Sequence, residues 1–128
     1  MLKENSGAPS YPELLDRIVT ADVQDAFRYF IGLAACSSTL TCHPERKGVL
    51  NDFRFFDKAG KQRFAFIINQ KSLLFYFRYP AIDSQKYEFE ELKKLFDSAT
   101  SDRVHKAWTV RILCISDAQR LWRFIDCA

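Results

Sequence analysis

Residues Asn51–Pro80 read NDFRFFDKAGKQRFAFIINQKSLLFYFRYP. Phe53, Phe55, Phe56, Phe64, Phe66, Phe75 and Phe77 fall in three short runs, with basic residues between them. Lys58-Ala59-Gly60-Lys61 and Gln70-Lys71-Ser72 separate the runs as turn signals. Alternation of apolar and polar side chains over such lengths is the period of a half-buried strand. The stretch therefore predicts a three-stranded antiparallel meander, with strands near 50–57, 62–69 and 73–79.

On the N-terminal side, residues 1–9 read as a flexible tail and residues 10–128 as a single α+β domain. Ser10 and Glu13 form a capping-box pattern, with Pro12 in the first turn, ahead of Leu14, Leu15, Ile18 and Val19. Val23, Ala26, Phe27, Phe30, Ile31 and Ala34 then trace one face of a second helix. Residues 36–48 read as a loop, because Ser37-Ser38, His43-Pro44 and Lys47-Gly48 are breakers. On the C-terminal side, Tyr87–Asp97 predicts a helix and Ser98–Lys106 a polar link. Ala107–Ile115 predicts a fourth strand. Ser116 and Gln119 form a second capping box before the helical stripe Ala118, Leu121, Trp122 and Ile125. The predicted order is α-α-β-β-β-α-β-α: a mostly antiparallel four-stranded sheet with helices packed on one face.

The 128 residues carry a net charge of +3, mildly basic. Residues 50–80 alone carry +4, on the predicted strands. That is enough to attract a polyanion locally and far less than a dedicated basic arm carries. The N-terminus has no apolar signal core, and no apolar run is long enough to span a bilayer, which predicts a cytoplasmic protein with reduced thiols.

Strand alternation sorts the side chains onto two faces. Phe53, Phe55, Phe64, Phe66, Ile68, Leu73, Phe75, Phe77, Tyr79, Trp108, Val110, Ile112 and Cys114 form the core face. The opposite face is mixed. Arg54, Arg63, Arg78 and Arg111 are candidate phosphate contacts there, and Phe56 and Tyr76 offer planes for base stacking. Ala65, Ile67, Leu74 and Leu113, with Ile115 beyond them, make the same face apolar enough for self-association or a protein partner. An ordinary solvated face is the third reading.

Catalytic and cofactor chemistry is sparse. Cys36, Cys42, His43, His105 and Cys127 include no paired short spacing of the zinc type, so neither metal nor cofactor is expected. A small enzyme would need Cys42, His43 and an acid such as Glu45 to share a pocket. The order of elements is also similar to the PD-(D/E)xK nuclease fold. Its metal-binding carboxylates are absent, because the corresponding region reads Ile68-Asn69-Gln70-Lys71. A non-enzymatic interaction module is the expectation that remains.

Gly60-Lys61-Gln62-Arg63-Phe64-Ala65 and Lys106-Ala107-Trp108-Thr109-Val110-Arg111, the latter followed by a C-terminal helix, resemble the small bacterial YjbR/MmcQ-type domains. That resemblance implies an α+β fold and a DNA-binding role, and it carries over no catalytic residue.

Overall fold

The computed structural model describes residues 1–126. Among these described residues five helices are formed: α1 (Tyr11–Asp16), α2 (Ala21–Cys36), α3 (Tyr79–Asp83), α4 (Phe89–Leu95) and α5 (Ile115–Asp126). Six strands accompany them: β1 (Thr41–Lys47), β2 (Leu50–Phe56), β3 (Gln62–Ile68), β4 (Leu73–Phe77), β5 (Thr100–Asp102) and β6 (Ala107–Ile112). The sheet is antiparallel throughout, in the order β1-β2-β3-β4-β6-β5.

The α+β class and the antiparallel meander agree with the sequence. The number of strands does not: the sheet has six strands, where four are expected. The first addition, β1, occupies the segment read as a loop. His43-Pro44 is tolerated there because β1 is an edge strand. The N–H and C=O of Cys42 point outward, to Met1 O and Lys3 N at 2.8 and 2.7 Å. Pro44 has the same parity, so its missing N–H falls on the outer side, where no ladder bond is lost. Lys47-Gly48 is likewise no terminator. Gly48, at φ 62°, opens a two-residue turn that pairs Lys47 with Leu50. The second addition, β5, is three residues long and wholly exposed, so no apolar alternation announces it.

Residues 1–3, in the segment read as a tail, lie against β1, with Leu2 bridged in parallel to Cys42. Of the expected core face, Tyr79 begins α3 and is 46% exposed, and Cys114 is only partly buried. The remaining members are buried.

One layer of aromatic rings joins helices to sheet. Phe30 of α2 lies 5.2 Å from Phe66, 5.5 Å from Phe75 and 6.4 Å from Trp122. Trp122 of α5 meets Phe55 at 5.6 Å and Phe64 at 6.4 Å. Such pairs add about 0.5–1.5 kcal/mol each beyond the area they bury. The α5 stripe is as expected, but its cap is not. The helix begins at Ile115, so Ser116 already sits inside its first turn. The carboxylate of Asp117 instead reaches back to accept the Leu113 N–H at 3.0 Å.

Two outcomes follow for stability. Trp122→Ala is expected to lower stability by about 3–5 kcal/mol in chemical denaturation. Asp117→Ala is expected to lose about 1 kcal/mol, and Ser116→Ala distinctly less. Equal losses at the two positions would return the cap to Ser116.

Candidate functional site

Helices α2 and α5 cover the aromatic face of the sheet, and the opposite face is open. Cross-strand register sets its rows. His43, Arg54, Ala65, Tyr76, Thr109 and Thr100 lie side by side across all six strands. The next row holds Glu45, Asp52, Ile67, Leu74 and Arg111. The curved face encloses a groove of about 760 Å³ between Asp52 and Arg54 on one wall and Thr100, Asp102 and His105 on the other. That volume falls in the range of ligand-binding clefts.

The six candidate binding residues have different fates. Arg54 is neutralised where it stands: its guanidinium contacts Glu45 at 2.6 Å and Asp52 at 3.1 Å. Burial, offset by Arg54, holds the Asp52 carboxyl above the usual carboxylate range. Phe56 is stacked under His43, with ring centroids 5.0 Å apart. Arg111 donates to Ser72 Oγ at 2.7 Å. Arg78 lies 6.0 Å from the Tyr76 ring centroid, with no carboxylate in salt-bridge range among the described residues.

Arg63 leaves the face altogether. The ladder between β2 and β3 pairs Phe55 with Phe64 but Phe56 with Gln62, so Arg63 is the extra residue of a bulge. A bulge re-aims the side chain it carries. Arg63 points to the sheet end, toward Asp57 and the Pro80 carbonyl. Strict alternation across β3, assumed from sequence, fails at this one residue.

The apolar candidates stay together. Ile67 and Leu74 are direct cross-strand partners, and Ala65 lies in the neighbouring row. Leu113 is 51% exposed just past β6, and Leu50, missed from sequence, is 47% exposed at the start of β2. These side chains form a band across one end of the open face.

Cys42 and His43 are neighbours on a strand and point to opposite faces. Cys42 is fully buried in the core cluster, and burial pushes its thiol up to about 11. His43 lies on the open face with Glu45. The two form no nucleophile–base pair. Cys127 lies outside the described residues, and among those described no three His, Cys, Asp or Glu side chains converge on a metal position.

Besides Leu50 and Asp52 on β2, the sequence reading did not place His43, Glu45, Thr100, Asp102 and His105 on this face. They lie on β1, on β5 and in the turn after β5. In β1 a signal existed, since buried Cys42 and Pro44 alternate with His43 and Glu45. In the turn after β5, His105 Nδ1 and Asp102 Oδ2 are 2.6 Å apart. The hydrogen bond from His105 holds Asp102 below the usual carboxylate range.

No family model, curated protein or solved structure matches this chain. Among the described residues, no helix is long and apolar enough to cross a membrane.

The placement of Cys42 has a measurable consequence. Its folded pKa stands above its unfolded value, so the unfolded chain loses that proton first as pH rises. Stability should fall between pH about 9 and 11, by about 2–3 kcal/mol. The Cys42→Ala protein should lose less over the same interval. In the native state a thiol reagent should modify exposed Cys36 quickly and Cys42 only on unfolding. Rapid modification of Cys42 would place it outside the core.

Proposed function

We infer that the chain is a non-enzymatic interaction module whose open sheet face binds protein, and that the partner is a second copy of this chain. The observation that carries this reading is the band of Leu50, Ile67, Leu74 and Leu113 on an otherwise charge-balanced face. A solvated sheet face ordinarily alternates polar side chains outward. Here the central pair is aliphatic, with Ala65 beside it.

Charge balance favours a copy of the same molecule over a polyanion. Arg54 is held between two carboxylates, Arg63 is turned off the face and Arg111 is bonded to Ser72. A phosphate backbone would have to displace these contacts before it gained any of its own. A second copy meets no net repulsion from a face carrying Glu45 and Asp52 beside its arginines. Six strands about 4.8 Å apart, rising about 3.3 Å per residue, give a face roughly 25 Å across and 23 Å long. That is near the lower end of a specific interface. The reading therefore describes a reversible dimer, closed face to face about a two-fold axis.

Light scattering tests it. Wild type should show twice the chain mass at low and high salt, and Ile67→Asp or Leu74→Asp should show the single-chain mass with melting little changed. A wild-type monomer up to millimolar concentration refutes the dimer. A monomer that gains the mass of a short DNA duplex only at low salt would instead transfer the face to the polyanion reading.

A further inference from the structure

A second concave site opens at the sheet end where the β2–β3 turn, the start of α3 and the β5–β6 turn meet. It is a cleft of about 710 Å³, lined by Lys61, Arg63, Arg78, His105, Asp57 and Asp83 among others. The open-face dimer leaves most of it uncovered, since only Gln62, Arg78 and His105 line both concavities. Its occupant is a separate question from self-association.

The acids in the cleft are already engaged. Asp57 Oδ1 accepts the backbone N–H of Ala59 at 2.9 Å and of Lys61 at 3.0 Å, closing its own turn. Asp83 Oδ1 accepts the Tyr79 hydroxyl at 3.3 Å. The cations are not satisfied to the same degree. Arg63 Nε is buried without a hydrogen-bond partner, and the nearest carboxylate oxygen, on Asp57, is 3.9 Å away. Among the described residues the only hydrogen bond the guanidinium donates is from Nη2 to Pro80 O at 3.5 Å, the outer limit of such a bond. Lys61 and Arg78 have no carboxylate in range among the described residues. A buried guanidinium N–H without an acceptor is unfavourable, and native proteins rarely retain one without a reason. The β-bulge turns Arg63 off the open face, and its side chain lines this cleft.

We propose that this cleft binds the phosphate group of a nucleotide, with Arg63, Arg78 and Lys61 as its donors. Lys61 and Arg63 come from the β2–β3 turn and the start of β3, and Arg78 from the residue before α3. Donors from two separate segments suit a tetrahedral dianion with acceptors on several sides better than a planar carboxylate. The Tyr79 ring, half exposed on the cleft wall with the Lys106 ammonium 4.9 Å from its centroid, supplies a flat surface for the base. The volume, about 710 Å³, lies within the range of small-molecule clefts.

Isothermal titration with inorganic phosphate, adenosine monophosphate and a short oligothymidylate tests the site. Inorganic phosphate should bind saturably with one site per chain. Adenosine monophosphate should bind at least fivefold more tightly than phosphate, and Tyr79→Ala should remove that advantage while leaving phosphate binding in place. Arg63→Gln and Arg78→Gln should each weaken all three ligands at least tenfold, with Arg111→Gln as the unaffected control on the open face. If the oligonucleotide binds most tightly, with a steep salt dependence that Arg63→Gln flattens, the phosphate is that of a nucleic acid. If the mononucleotide is tightest, it is a free ligand. Absence of saturable binding by all three at millimolar concentration overturns the proposal. So does binding that survives both arginine substitutions. Arg63→Lys keeps the charge and checks the fold: native melting with weakened binding separates loss of the forked donor from loss of structure. The Ile67→Asp monomer should bind phosphate as wild type does, so this result stands apart from the oligomeric state.

Discussion

The layer of aromatic rings between α2, α5 and the sheet is the constraint on which the rest of the molecule depends. Phe30 and Trp122 each contact several sheet phenylalanines, and those phenylalanines contact one another along and across strands. Rings of this size bury large apolar areas and resist displacement, because a close-packed interior has no spare volume. By drawing both long helices to one side, the layer leaves the other side of a six-stranded sheet open. That open face is in this sense a by-product of where the phenylalanines fall.

The edges of the sheet are managed by different means. At β1, Pro44 removes one donor from the outer row, residues 1–3 occupy the backbone of Cys42, and Asn5 Nδ2 donates to Pro44 O at 3.2 Å. A long bare edge would be a template for another strand. At the opposite edge β5 is only three residues long, and the Arg111 N–H beyond it is taken by Ser98 Oγ at 3.2 Å. With both edges blunted, face-to-face contact is the remaining route for two sheets to meet.

Electrostatics separates the two concave sites more sharply than shape does. On the open face Arg54 sits between Asp52 and Glu45, which its own strand β2 and the neighbouring β1 place directly opposite each other, and Arg111 donates to Ser72 Oγ. At the sheet end, turns hold Asp57 in its own backbone bonds and leave Arg63 underused. Equal numbers of cations would give similar fields far away. It is their pairing at short range that decides which surface has donors to offer a ligand.

Local periodicity made part of this protein legible from its residues. The alternating phenylalanines of 51–80, the i, i+3, i+4 spacing of 23–34 and the Trp122 stripe each depend on neighbours in the chain, and the central strands, α2 and α5 follow from them. The open-face residues Ala65, Ile67, Leu74 and Tyr76 came with those strands, since parity alone assigns a face. Tertiary structure decided the rest. Pro44 forbids a central strand and permits an edge one, a distinction that exists only once strand order is set. The sequence of β5 has no apolar alternation of its own, because its three residues are exposed and are held in place by pairing with β6. Arg63 obeys alternation on paper and breaks it in space, because the register of β2 against β3 slips by one residue there. Asp52, two residues before Arg54, is a local partner, but the second carboxylate, Glu45, is brought beside it by β1, and no pattern within β2 encodes that pairing.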